Sequence, residues 1–297
     1  MKKTIKTISL VAALISLMSC GDSGKTSNEI AADSVKTTEN IDTAKITTMY
    51  NIPSPIETFT ILKLSGATFD KSYLNPSKNI AKYVSNFSKS INLGTYSADL
   101  SFCLMYKENS GVDFYLKNVN DLTAALGIEG GFAESVTKRL KANANNSDSL
   151  MAIVSEASVD AYLYLKENQR GSTSALMTAG GWIEGMYFIT SMANKTPNSE
   201  INRLIANQKK VLRNLTRMLQ KFGTAPEEAN LLTEIKDISA VYDNLQPAKE
   251  VTAAATDKDA KDKNIVSVGN NKSFDLTDEQ LKTITGKVEA LRNKLIN

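Results

Sequence analysis

The sequence contains no histidine, and cysteine occurs only twice, at Cys20 and Cys103. Without histidine, the chain lacks the usual general base at neutral pH, the base of Ser-His-Asp triads and a common zinc ligand. Two cysteines are too few for a cysteine zinc site, and lipid at Cys20, predicted below from the N-terminal sequence, would leave none to pair with Cys103. The sequence therefore predicts neither a metal site nor a cofactor, and it excludes histidine-dependent enzymes.

The chain also lacks a strong charge of either sign. It has 35 Lys and Arg against 32 Asp and Glu, which gives a net charge of +3. This excess equals the three lysines of the N-terminus, Lys2, Lys3 and Lys6. Because the remainder is balanced, nothing attracts a nucleic acid or an acidic substrate, and we expect no nucleic-acid partner. An apolar content of 42% suits a globular protein of one or two domains.

The N-terminus has the pattern of an export signal. After the lysines, residues 8–18 form an apolar run broken only by two serines. This run is too short to cross a hydrocarbon core of ~30 Å as a helix, whereas it suits a secretory signal. It ends in Leu17-Met18-Ser19-Cys20, which resembles the lipobox of bacterial lipoproteins. We predict that residues 1–19 are a lipoprotein signal peptide and that Cys20 is lipidated. The alternative is an ordinary cleaved signal with an incidental cysteine.

Lipid at Cys20 would place the protein in the cell envelope, because two or three acyl chains anchor a protein stably where one does not. We expect anchoring in the outer membrane. Only Asp22 is acidic among the residues just after Cys20, which leaves the periplasmic and the surface face both open. Residues 20–48 are rich in small polar residues and predict a flexible tether between the lipid and a domain at 49–297.

Helical periodicity covers most of residues 49–297 and predicts an all-α fold, an irregular bundle of nine or ten helices. We expect Asn75-Pro76 to begin a helix that buries Val84, and Gly94 and Gly111 to separate helices. Two exceptions lie near the C-terminus. Residues 247–264 predict a charged linker, and residues 265–275 predict a small β-hairpin before the last helix.

The segment 173–193 is apolar on all sides, and Glu184 is its only charged residue. Such a pattern predicts a buried helix. Gly180, Gly181 and Gly185 each weaken a helix by ~1 kcal/mol, which predicts that a neighbouring helix backbone approaches closely there. A membrane-spanning helix is disfavoured, because Glu184 would lie at the centre of the bilayer.

Three segments carry a resemblance to a known group of proteins: residues 50–57 (YNIPSPIE), 92–100 (NLGTYSADL) and 180–184 (GGWIE). Together they resemble a family of uncharacterised helical lipoproteins from Bacteroidetes-type bacteria. The likeness extends over the whole domain from about residue 49. It implies an envelope location and an all-helical domain, and it implies no particular activity.

Glu184 is the strongest candidate for a functional side chain, because perturbed carboxyls on buried helices concentrate at functional sites. With Trp182 beside it, and with Asp99 and Glu57 from the other two segments, it defines a candidate ligand cleft. The competing interpretation is a structural glutamate bonded to a buried group. No residue is predicted to be catalytic. A Ser-x-x-Lys motif at 135–138 lacks the other elements of serine acyl enzymes.

We therefore expect a membrane-anchored protein with a non-enzymatic binding or structural role, with a protein partner or small ligand at the cleft. One alternative is a carboxylate-dependent hydrolase centred on Glu184. Another is a carrier of lipid or glycan, which requires an apolar cavity of several hundred Å³. Two close carboxyls in a cleft would favour the enzyme. A large apolar cavity would favour the carrier, and a filled core would favour a structural protein.

Overall fold

A computed structural model describes residues 55–128, 132–143, 146–195, 198–248 and 274–297. The predicted signal peptide, Cys20 and the tether lie outside these residues. So do the linker beyond residue 248 and the hairpin before residue 274. The described residues all belong to one compact unit, Ile41–Asn297.

The described residues confirm the predicted all-α bundle: they contain nine α-helices and no β-strand. In chain order, the helices are α1 (Pro55–Leu64), α2 (Asn86–Tyr106), α3 (Asn109–Ala125), α4 (Phe132–Ala142), α5 (Ser147–Glu167), α6 (Gly171–Lys195), α7 (Ser199–Phe222), α8 (Pro226–Asp243) and α9 (Asp278–Ile296). Two short 3₁₀ helices, Lys71–Tyr73 and Ser77–Lys82, precede α2. Pro247 after α8 and Phe274 before α9 form a single antiparallel β-bridge.

The segment after Asn75-Pro76 differs from the prediction. It forms the short 3₁₀ helix Ser77–Lys82, and the α-helix begins only at Asn86. The reason is local: Ser85 caps α2 by accepting a hydrogen bond from the backbone N–H of Ser88, 3.0 Å away. Val84 precedes this cap and is 79% exposed, so its predicted place on the core face was wrong.

Gly94 and Gly111 were expected to separate helices, but they lie inside α2 and α3. The actual break is at Lys107, which has a positive φ of 61°. Both glycines instead allow close packing. A Cβ on Gly94 would overlap the carbonyl oxygen of Met177, and one on Gly111 would lie 2.6 Å from the sulfur of Cys103.

Helix α6 is the buried central helix, as predicted from its apolar composition. It packs against α1, α2, α5, α7 and α9. The predicted close approach occurs at Gly180, where a Cβ would overlap the carbonyl oxygen of Ile91 on α2. Phe102 of α2 stacks on Phe188 of α6 at a centroid distance of 4.4 Å. These contacts follow the two helices in the same direction, so α2 and α6 run parallel. No described helix is both long and apolar enough to cross a membrane.

The buried apolar side chains form two clusters. One joins α6 to α1, α7, α8, α9 and one side of α2, and includes Trp182 and Met186. The other joins α2, α3, α4 and α5, and includes Leu100 and Val154. The cavity described below is lined by members of both clusters, so it lies where the two parts of the core meet.

Candidate functional site

Glu184 of α6 forms a two-point ion pair with Arg292 of α9. The guanidinium donates from Nε to Oε2 at 2.9 Å and from Nη2 to Oε1 at 2.7 Å. Nη2 also donates to the backbone carbonyl of Tyr73 at 2.8 Å, and the guanidinium lies 4.2 Å from the ring centre of Tyr187. Glu184 and Arg292 are both buried. This geometry is the strong, charge-assisted form of the arginine–carboxylate contact.

Asp99 of α2 is a second buried carboxyl beside this ion pair. We call Glu184, Arg292 and Asp99 together the buried charged cluster. The Oδ1 atom of Asp99 accepts a hydrogen bond from the backbone N–H of Asn75 at 3.3 Å. Its Oδ2 is buried and receives no hydrogen bond from the described residues. The Glu184 carboxyl is close enough to affect the pKa of Asp99. Two neighbouring buried carboxyls with one counter-charge favour a state in which one of them is protonated.

Burial and the neighbouring Glu184 carboxylate raise the pKa of Asp99 well above its ordinary value, more than Arg292 and the Asn75 N–H lower it. Burial also raises the pKa of Glu184, but there the two bonds from Arg292 directly oppose the shift. With two carboxyls and one guanidinium, the cluster is neutral when it holds one proton. The pKa of Asp99 is the one raised well above its ordinary value, so Asp99 is the carboxyl that holds this proton.

A second layer of hydrogen bonds encloses the cluster. The side chain of Asn75 donates to the hydroxyl of Tyr83 and accepts from Asn79, each at 3.0 Å. The hydroxyl of Tyr115 donates to the carbonyl of Asn75 at 2.9 Å. Asn79 and Tyr83 both donate to the carbonyl of Ile296, near the end of α9. These bonds tie α9 and α3 to the segment before α2, which is a structural function.

A separate feature is an apolar cavity of about 220 Å³ that is lined by α2, α3, α4, α5, α6 and α7 and is open to the surface. Trp182 lines this cavity, whereas Glu184 and Asp99 do not. Two residues along a helix correspond to a rotation of ~200°, so Glu184 points away from the face that carries Trp182. Ser158 of α5 is exposed and also lines the cavity, which therefore reaches the surface along α5.

The polar side chains of the wall mostly bond to the protein itself. Four hydroxyls each donate to the carbonyl four residues earlier in their own helix: those of Ser97, Thr123, Ser158 and Thr178. The indole N–H of Trp182 donates to Oε1 of Gln208 at 3.2 Å. None of the described side chains that line the cavity is charged. The wall is thus apolar and suits uncharged, apolar groups of a ligand.

The residues that the sequence analysis assigned to one cleft therefore lie at two separate sites. Trp182 lies in the cavity wall, while Glu184 and Asp99 come together in the buried cluster. Glu57 lies in α1, and its side chain falls outside the described part of the structure. In the described part, no group of three or more cysteine or carboxylate side chains could hold a metal ion.

Sequence reasoning missed Arg292, the partner of Glu184. One signal was present: Arg292 follows Val288 by four residues and so lies on the apolar face of α9. A lone cation on such a face indicates a buried counter-charge. Nothing in the pattern around Asn75 indicated its contact with Asp99.

No protein-family model matches the chain, and comparison with curated proteins and with solved structures gives no match either. The resemblance to helical lipoproteins stays a prediction.

Proposed function

We propose that this protein is a non-enzymatic binding protein of the cell envelope, anchored through lipid at Cys20. It takes up an apolar ligand in the cavity that the six helices α2 to α7 line. The anchoring part rests on the N-terminal sequence. The binding part is supported by one observation, the apolar cavity of about 220 Å³. This joins the expected binding role to the lipid-carrier alternative.

The cavity opens to the surface near Ser158, so a ligand can enter it from solvent. Its volume of about 220 Å³ is below the several hundred Å³ expected of a carrier for a whole lipid or glycan, and it suits a smaller apolar group. An apolar cavity of 150 Å³ in another protein is large enough to bind benzene, and the cavity here is larger. A protein with a purely structural role gains nothing from leaving such a space open.

The hydrolase alternative has less support. Glu184 and Asp99 are both completely buried, and Glu184 is already bonded to Arg292 at two points. A substrate could reach these carboxyls only if α2, α6 and α9 separated. A pair of carboxylates that acts on a glycoside must instead face the bond that it cleaves.

The test uses Trp182, which is the only tryptophan of the chain and lies in the cavity wall. Titration of the purified full-length protein with decanoic acid should change the emission of Trp182 saturably, with one ligand bound per chain. A Trp182→Phe variant should lose this signal but still bind, as measured by calorimetry. Absence of saturable binding by both methods would refute the proposed function.

A further inference from the structure

The wall of the cavity extends along helix α6. On this helix it extends from Met177 to Ile189, which at 1.5 Å per residue is ~18 Å along the helix axis. The cavity wall on α2 extends from Leu93 to Leu100, and this helix runs parallel to α6. We refer to the part of the cavity that these two walls border as the channel.

Burial increases along the α6 wall. Met177 and Thr178 are half-buried, whereas the wall residues from Gly181 to Met186 are buried. The exposed Ser158 marks where the channel reaches the surface on α5. A ligand that enters there would keep a polar end in solvent and place only its apolar part in the channel.

Gly185 is the unusual residue of this wall. Gly94 and Gly180 are explained by the helix backbones that they touch. In contrast, a Cβ added to Gly185 would meet no atom within 4 Å, although the residue is buried in the middle of a helix. Glycine weakens a helix relative to alanine, so packing offers no reason for it at this position. The feature that Gly185 borders is the channel.

We infer that the ligand is a molecule with a single unbranched acyl chain and that Gly185 determines how long a chain the channel accepts. This inference rests on the proposed function. The missing Cβ leaves room for the chain in the deeper, buried part of the channel, and a side chain at residue 185 would fill that room. The uncharged wall suits methylene groups, and the polar head of the ligand stays near Ser158.

The test compares saturated fatty acids from eight to eighteen carbons with the full-length wild-type protein, Gly185→Ala and Gly185→Leu. The matched control is Gly286→Ala, because Gly286 is an exposed glycine inside α9 that also has no atom within 4 Å of its Cβ position. We expect Gly185→Leu to bind the longest chain accepted by the wild type at least tenfold more weakly and to bind the shortest chain unchanged. Gly185→Ala should show a smaller shift of the same kind, and Gly286→Ala none.

The outcomes separate the inference from the proposed function. If Gly185→Ala folds and binds every chain length as the wild type does, Gly185 does not limit the ligand, yet the proposed function stands. If the wild type binds a rigid sterol more tightly than any straight chain, the single-chain ligand is refuted and an apolar binding function is kept. If the wild type binds no apolar molecule, both fail.

Discussion

At the scale of single residues, the two buried carboxyls have different relations to Arg292. Glu184 accepts two hydrogen bonds from the guanidinium, whereas Asp99 accepts one hydrogen bond from the backbone N–H of Asn75 and none from Arg292. Glutamine at residue 184 cannot replace the charge that Arg292 needs. Asparagine at residue 99 can replace a protonated carboxyl, since it is uncharged and its side-chain oxygen can still accept from the N–H of Asn75.

Substitution of the two residues should therefore have opposite results at pH 7. Glu184→Gln should lower the free energy of unfolding by ~3–5 kcal/mol, because it leaves a buried guanidinium without its counter-charge. Asp99→Asn should leave the free energy of unfolding unchanged or raise it. Urea denaturation of both variants measures the difference. If Asp99→Asn proved the more damaging variant, Asp99 would be the true counter-ion of Arg292.

The pH dependence of stability provides a second prediction for Asp99. Its pKa is raised in the folded protein above the ordinary value of 3.8. Above about pH 4, the folded state therefore keeps a proton that the unfolded chain has lost, and stability falls as pH rises. Relative to Asp99→Asn, the wild type should lose up to ~1.4 kcal/mol per pH unit from about pH 4 until the pKa of the folded state is reached. Denaturation curves between pH 4 and pH 8 test this, and a difference that does not vary with pH would contradict it.

At the scale of secondary-structure elements, the interface between α2 and α6 depends on two glycines, Gly94 and Gly180. A Cβ on Gly180 would overlap the carbonyl oxygen of Ile91 and lie 2.8 Å from its carbon. The obstructing atoms belong to a helix backbone, which cannot move aside as a flexible side chain can.

Gly180→Ala should accordingly lower stability by ~1–3 kcal/mol, the usual effect of overpacking a core. Gly286→Ala should raise it by ~1 kcal/mol, because alanine favours the helix at an exposed position. Thermal melts of the two variants, which add the same methyl group, separate the effects of packing from those of helix propensity. Equal melting temperatures would show that α2 and α6 can separate slightly at no cost.

The same glycines show where prediction of the elements succeeded and failed. The apolar composition of α6 correctly predicted a buried helix, because burial on all sides requires apolar residues on all sides. Gly94 and Gly111 were wrongly taken as breaks, since a glycine that ends a helix and one that admits a neighbouring helix look alike in one sequence. The difference depends on α6 for Gly94 and on Cys103 for Gly111, and neither contact is visible locally.

At the scale of the whole molecule, the proposed anchoring depends on Cys20. When the full chain is produced in a Gram-negative host, the wild-type protein should incorporate labelled palmitate and sediment with membranes, and Cys20→Ser should do neither. Cys103→Ala is the matched control. Cys103 is buried, and burial raises the pKa of its thiol to about 12, so it is not an acylation site. Labelling of the Cys20→Ser variant would contradict the proposal.

The sequence by itself determined the helical class and the central position of α6, because these depend on composition and on periodicity within short segments. The export signal is also read from composition and stays a prediction. Only the tertiary structure decided which residues meet. Glu184 and Arg292 lie far apart in the chain, and the pairing of α6 with α9 brings them together. The cavity is also a tertiary property, since it is space that the side chains of six helices leave unfilled. No single segment contains that information, because the volume left between helices depends on how all of them pack.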